Sequence, residues 1–329
     1  MNTVSSLASL RKRLRIPVIQ APMFVVSQPA MVIAASKSGI VGSFPASTAR
    51  TIDELEKWLR HISDAVGPGD APWAINIIAH RSNARVGSEL ELVMEAKPEI
   101  VVTSLGSPRD TVARVKGYGG LVFADVVTPE QARKAAQAGV DGLILLCAGA
   151  GGNTGWLSPF AFLFEVRRFF DGLLVLAGGI NSGGAIRAAE VMGADLTYMG
   201  TQFLASEESM ASSMHKQSVV QASCKDVIVT DKFTGIPASI LKASLARNNI
   251  NLDGVCRPEF DLDILLNLES SKMWKDVWAA GQGVAGVAGI APVAAIVRQL
   301  EQEYLEARST ERLQLANSGY GRTVDDLAP

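Results

Sequence analysis

Residues 121–155 read LVFADVVTPEQARKAAQAGVDGLILLCAGAGGNTG. An apolar, β-branched run from Leu121 to Val126 gives way to a helical pattern opened by Thr128-Pro129 and closed by Gly139. Proline suits a first helical turn, where its missing N–H would find no partner anyway, and glycine suits the left-handed residue that ends a helix. A second apolar run, Asp141 to Leu146, follows and opens into a glycine-dense loop, Cys147 to Gly155. Two continuous apolar runs joined by a helix are the mark of parallel strands buried on both faces.

The same unit recurs on both sides. IPVIQA (Ile16 to Ala21) leads to a helix from Pro29 to about Ser38, and GIVGSF (Gly39 to Phe44) leads to the amphipathic TIDELEKWLRHI. WAINII (Trp73 to Ile78) is a third strand, and EIVVTS (Glu99 to Ser104), after a helix ending near Lys97-Pro98, a fourth. The quoted stretch supplies the fifth and sixth. GLLVLA (Gly172 to Ala177) is the seventh, and ADLTYMG (Ala194 to Gly200), after a helix over Gly184 to Met192, the eighth. Eight alternations in about 200 residues predict an α/β fold of the (β/α)8 TIM-barrel type. An open doubly wound sheet is the competitor. Its dinucleotide fingerprint, GxGxxG directly after the first strand, is replaced here by QAPMFV.

The alternation assigns residues 1–209 to the barrel and breaks at Met210. Residues 210–280 read as a smaller inserted lid domain, 281–310 as a helix returning to the barrel, and 311–329 as a tail.

With 329 residues, 48% of them hydrophobic, the chain can bury one large core. Lys and Arg number 31 against 33 Asp and Glu, with no basic cluster, which argues against a nucleic-acid partner. No apolar run is long enough to span a bilayer and no h-region follows the N-terminal charges, so a soluble, cytoplasmic protein is expected, with no membrane partner. Cys147, Cys224 and Cys256 form no CxxC pair; Cys147, at the end of an apolar run, reads as a buried packing residue. No HExxH, paired Cys/His spacing or acidic cluster offers a metal site, and no GxSxG offers a nucleophile elbow.

In such a barrel the chemistry lies at the carboxyl ends of the strands, and phosphate commonly docks on the last two loops. Here those loops are Ala177-Gly178-Gly179-Ile180-Asn181-Ser182-Gly183-Gly184 and Met199-Gly200-Thr201-Gln202-Phe203. Glycine lets main-chain N–H groups come close to an anion, although any one of these glycines also serves as an ordinary turn.

QAPM after strand one, AGAGGNTG after strand six, AGGI after strand seven and MGTQFLASEES after strand eight occur in order, with TDKFTGIPA and WAAGQGVAG further on. In these motifs the chain resembles the nitronate monooxygenase family, formerly called 2-nitropropane dioxygenases. The resemblance implies an FMN-dependent oxidoreductase that oxidises alkyl nitronates with O2. Carried over position by position, it implies that Gln20, Ala21, Pro22 and Met23 flank the isoalloxazine ring and that Asn76 contacts the cofactor. Gly151 and Gly152 would pass beside the ring, and Gly178, Gly179, Gly200 and Thr201 would hold the phosphate.

Two positions depart from the family pattern. Asn153 stands where the family's loop usually carries a histidine, and an amide can donate a hydrogen bond to a substrate oxygen but cannot act as a general base. A nitronate, already deprotonated, needs no base. Asp125 falls where a lysine often ends strand five; an ionised carboxylate there opposes an anionic reduced flavin. Asp125 reads either as a cofactor-side acid or base with a pKa raised by burial, or as the cap of the helix entered at Thr128-Pro129.

Of the histidines His61, His80 and His215, only His80 is predicted near the active end, and it joins Asn153, Trp156, Ser158 and Phe160 as a candidate substrate contact. Trp156 and Phe160 read equally as packing under the lid. A small-molecule substrate and O2 are the expected partners, with a homodimer left open. Two other functions also stay open: an NAD(P)H-dependent reductase of quinones or activated alkenes, like the related enoyl-thioester reductases, and a catalytically silent FMN-binding barrel.

Overall fold

The computed structural model describes residues 3–262, 266 and 274–317. In chain order its strands are β1 (Val18–Gln20), β2 (Gly42–Pro45), β3 (Trp73–Ile78), β4 (Ile100–Ser104), β5 (Leu121–Val126), β6 (Gly142–Leu146), β7 (Gly152–Asn153), β8 (Leu173–Ala177), β9 (Leu196–Met199), β10 (Val227–Thr230) and β11 (Ala238–Leu241). Eight of them form one parallel sheet in the order β1-β9-β8-β6-β5-β4-β3-β2. A parallel bridge between Ile19 and Val41 joins its ends, with the Gln20 N–H donating to the Val41 carbonyl at 2.8 Å. The sheet is therefore a (β/α)8 barrel with no free edge.

Each alternating unit read from the sequence is present, with small shifts at the ends. The second strand starts at Gly42, not at Gly39. Gly39 has φ +85° and turns tightly beneath Arg15, where a Cβ would lie 2.4 Å from Arg15 Cγ, so it ends the preceding helix. The eighth strand likewise covers only Leu196–Met199 and leaves Gly200 to open a short helix.

Period-two alternation sorts the strand residues into two cores. Ile19, Ala74, Val102, Phe123, Ile144 and Val175 belong to a cluster that fills the barrel. Their neighbours Phe44, Ile75, Val101, Val122, Leu145 and Leu176 pack outward against helix residues such as Leu55, Leu59 and Val166. Helix starts are fixed by side-chain caps: Thr128 accepts from the Gln131 N–H and Ser182 from the Ala185 N–H. Thr128 thus fills the capping role, and Asp125 does not.

Beyond Met210 the chain builds a small antiparallel sheet in which β10 pairs with β11 and β11 pairs with β7. The loop leaving β6 is therefore a strand of this second sheet, in register Ala238 with Asn153 and Ser239 with Gly152. The C-terminal helix spans Val293–Asn317. It begins at 293 instead of 281, where Gln282–Gly286 form a 3-10 turn, and it passes the expected boundary at 310; residues 318–329 of the expected tail lie outside the described residues. Glu303 accepts from the Gly183 N–H at 2.8 Å and Glu190 accepts from the Tyr304 hydroxyl at 2.6 Å, tying this helix to the one after β8. Among the described residues no helix is long and apolar enough to cross a membrane.

Candidate active site

Carried one step further, the inward parity names the floor of a cavity at the carboxyl end of the barrel. Asn76, Ser104, Asp125, Leu146, Ala177 and Tyr198, from β3, β4, β5, β6, β8 and β9, all line it. The cavity measures about 1360 Å3 out to its open mouth. Its walls include the loop Ala21 to Phe24, the glycine turns after β6, β8 and β9, and His215, Trp274, Ala279 and Gly283 from the later chain.

The glycine turns are locked together. A Cβ on Gly151 would lie 2.7 Å from the Gly281 nitrogen, and one on Gly281 would lie 2.5 Å from the Gly149 carbonyl oxygen. The Gln282 N–H donates to that same carbonyl at 2.9 Å, and the Gly281 N–H to Thr201 Oγ1 at 2.9 Å. The loop in WAAGQGVAG thus threads between the turns after β6 and β9, where no side chain fits. Gly179 behaves differently: it has φ +68° and a Cβ there would meet nothing within 4 Å. That open glycine, whose own N–H donates to the Gly149 carbonyl at 3.3 Å, leaves side-chain-free room on the same cavity as the start of the helix Thr201–Leu204, whose first N–H groups have no intrahelical acceptor and suit an anion. Among the described residues lining the cavity there is no Lys or Arg, so main-chain N–H groups would carry such contacts.

Four polar atoms on the lining are buried without a partner: Asp125 Oδ1, Asn153 Oδ1, the Tyr198 hydroxyl and Trp274 Nε1. A buried unpaired polar atom costs about 1–3 kcal/mol, so four around one cavity mark a place built to be satisfied by a ligand. Burial pushes the Asp125 carboxyl up to about 7. Burial, and behind it the charge of Asp125, raises the Tyr198 phenol well above its ordinary range. Asn76 donates to Ser104 Oγ at 3.3 Å, which fixes one edge of the floor. Backbone strain collects here too: Val25, Leu105 and Trp274 have φ of 68°, 56° and 70°, beside or on the cavity lining.

His215 is a wall residue that sequence reasoning left in the insertion. Its ring stacks on Trp278 at 5.3 Å, and its Nε2 donates to the Ala279 carbonyl at 3.1 Å. Burial lowers its pKa to about 4, so near neutral pH it is uncharged, with Nδ1 left as an acceptor. The available signal was the pair His215 and Val219 at helical spacing behind a Ser212 cap, both buried in the structure. Tyr198 and Trp274 were also missed; parity with Leu196 would have pointed Tyr198 inward.

The structure brings together Ala21, Pro22, Met23, Asn76, Asp125, Gly151, Gly152, Asn153, Gly178, Gly179, Gly200 and Thr201 on one cavity. Gln20 is not among them. It has the opposite parity and is fully buried, where its Oε1 accepts from the Ser43 N–H at 2.9 Å and its Nε2 donates to Ser27 Oγ at 3.1 Å, fastening β1 to β2. His80 does not line the cavity either; it bonds Ser82 Oγ at 2.7 Å and meets Phe260 edge-on at 5.2 Å. Trp156 and Phe160 are 82% and 72% exposed, so neither walls this cavity nor packs under the lid sheet, and the exposed Ser158 only precedes the helix Pro159–Arg167. Cys147 is buried and burial pushes its thiol up to about 12, as suits a packing residue.

Comparison with known proteins adds four findings. A family profile described as nitronate monooxygenase matches residues 78–303. Among characterised sequences, a (3aS,4S,5R,7aS)-5-hydroxy-7a-methyl-1-oxo-octahydro-1H-indene-4-carboxyl-CoA dehydrogenase of Mycobacterium tuberculosis is 29% identical over 232 residues, covering 70% of this chain and 64% of that protein. A nitronate monooxygenase of Pseudomonas aeruginosa is 30% identical over 251 residues, covering 62% of this chain and 70% of its own. A solved nitroalkane oxidase from Streptomyces ansochromogenes superposes with a TM-score of 0.79 at 25% identity, over 92% of this chain and 99% of the other. The match thus spans just under two thirds of the dehydrogenase's length.

Proposed function

This chain belongs to the nitronate monooxygenase family, a family of oxidoreductases, and from that premise we propose that it is an FMN-dependent enzyme that oxidises alkyl nitronates or similarly small activated anions with O2. The observation that carries the proposal is the set of four unpaired buried polar atoms on a cavity ringed by the glycine turns after β6, β8 and β9. Those residues suit FMN: a backbone cradle at Gly178, Gly179, Gly200 and Thr201 for the phosphate, and side-chain-free turns at Gly151 and Gly152 beside a flat ring. Ala21, Pro22, Met23 and Asn76 would flank the ring. Bound there, FMN supplies the electron acceptor and the partner for oxygen.

The chain's own residues then divide the remaining work. Asn153 offers an amide donor to a substrate oxygen and keeps an unpaired acceptor for a second contact. Asp125, titrating at about 7, has two faces. Protonated, it is neutral and donates a hydrogen bond to a nitronate oxygen. Ionised, it takes the proton from the carbon beside a neutral nitro group, the role a general base with a pKa near the working pH fills best. Tyr198, held protonated, keeps an O–H to donate and so stabilises negative charge on the floor. His215, neutral and anchored through Nε2, offers an acceptor at the wall.

The test is anaerobic mixing of the yellow protein with ethyl nitronate and, separately, with NADH and NADPH. Flavin bleaching by the nitronate supports the proposal. A colourless protein that does not take up FMN, or one bleached by a nicotinamide alone, refutes it; the second outcome favours the reductase reading for quinones or activated alkenes.

A further inference from the structure

The helix Pro159–Arg167, between β6 and β8, is apolar on two sides. Phe162, Leu163 and Val166 turn inward and join the core between the barrel strands and their helices. The outer face carries Phe160 and Phe164, at i and i+4 and so on one line of the helix, each 72% exposed. Trp156, 82% exposed, stands just before the helix start. Other helices of the barrel's outer ring turn polar residues to water: Ile52–Ala65 exposes Asp53, Lys57, Arg60 and Asp64, and Pro129–Gln137 exposes Gln131, Arg133 and Lys134. A helix that is apolar all round belongs in an interior. Among the described residues nothing covers the outer face of this one.

An aromatic side chain buries about 150–250 Å2, so at these exposures the three together would remove roughly 500 Å2 from water. A stable dimer takes about 800 Å2 from each partner. These three side chains alone supply more than half of that. The rest of the face is built to meet its own copy. Ala161 is exposed beside the two phenylalanines, so a second backbone can come close there. Arg168 is exposed at the carboxyl end of the helix, whereas the aromatics gather toward its amino end. Two copies packed antiparallel about a two-fold axis bring the arginine of each toward the aromatic rings of the other and set the two helix dipoles in opposition. A parallel pair would set arginine against arginine.

We propose that this chain forms a two-fold symmetric dimer through the outer face of the helix Pro159–Arg167, with Trp156, Phe160 and Phe164 as its buried centre and Arg168 at its edge. The occupant is a second copy because the face carries both halves of a complementary pair, aromatic and cationic, in an order that its own reversal matches. A lipid surface fits less well: Glu165 is exposed on the same face, between the aromatics and Arg168, and would be carried against anionic headgroups. The catalytic cavity lies apart from this interface, since none of the three aromatics lines it. Dimerisation and nitronate oxidation can therefore be tested separately.

The experiment is sedimentation equilibrium of the purified full chain. At micromolar concentration the wild type should sediment at twice the 34.9 kDa of the chain. Phe160→Glu/Phe164→Glu should raise the dimer dissociation constant at least about 100-fold, leaving a monomer with wild-type circular dichroism. Arg168→Glu, which removes no aromatic, should raise it by about three-fold to five-fold. A wild type that is monomeric, or a dimer that the double substitution leaves intact, overturns the proposal. So does a wild-type monomer that co-sediments with phosphatidylserine vesicles, which assigns the face to a membrane. Should the double variant fail to fold, Arg168→Glu decides by itself, and an unchanged dissociation constant for that variant overturns the proposal.

Discussion

The two ends of the barrel treat their aspartates in opposite ways. At the amino end, Asp195 accepts from the Leu174 N–H at 2.9 Å and pairs with Arg167 at 2.8 Å, and Asp141 accepts from the Val122 N–H at 2.9 Å and meets Lys116 at 3.4 Å. At the carboxyl end, Asp125 has an oxygen buried with no partner, as do its neighbours Asn153 and Tyr198. The same residue type staples strands at one end and is held in an unsatisfied state at the other. Stability is concentrated where the barrel begins and the proposed chemistry where it ends, the division expected of this architecture.

The sharpest way to break that contrast is to silence Asp125. With Asp125→Asn, turnover of a neutral nitroalkane should fall by roughly 10^2 to 10^4, the usual worth of a positioned acid or base, while FMN absorbance is kept. Wild-type pH profiles should run in opposite directions about pH 7: nitronate oxidation falls as Asp125 ionises and nitroalkane oxidation rises. Parallel profiles for the two substrates would remove Asp125 from the reaction.

The same carboxyl gives a stability test of opposite sign to the usual one. Its pKa is raised on folding, so the folded protein holds the proton more tightly than the unfolded chain, and stability is lost as pH rises from about 4 to about 7. Asp125→Asn should remove that slope. In urea titrations of FMN-free protein, the variant should gain on wild type by up to about 4 kcal/mol between pH 4 and 7.5. A constant gap across that range would mean the carboxyl is not perturbed.

At the other end, Asp195→Ala should cost roughly 2 kcal/mol, because it strips a partly buried strand N–H and an arginine of their acceptor, and should leave kcat unchanged in the folded fraction. Tyr198→Phe is a smaller change. It removes an unpaired hydroxyl, so the FMN-free protein should be unaltered or more stable by about 1 kcal/mol, while the KM for nitronates rises; a lowered melting temperature would mean that the hydroxyl already has a partner. Smallest of all, Phe160→Ala, 72% exposed and off the cavity, should leave nitronate KM within two-fold, which steady-state kinetics can check.

The alternation that built the barrel was legible in the chain, and so were the glycine turns. Asn153 and Asp125 stood out by resemblance, one lacking a titratable proton and the other carrying the wrong charge. Less legible was which side of a strand faces the ligand. Gln20 was read onto the cavity although a one-residue change of parity turns it toward Ser43, and Tyr198 was passed over for the complementary reason.

By itself, the sequence determined the strands, the helices and the loops where glycine is required, because these follow from periodicity and backbone freedom within a few residues. Only the tertiary structure decided that His215 and Trp274 reach the cavity, that His80 and Phe160 do not, and that the loop holding Asn153 is also a lid strand. Those outcomes depend on contacts between residues some 60 to 200 positions apart, which no local pattern encodes.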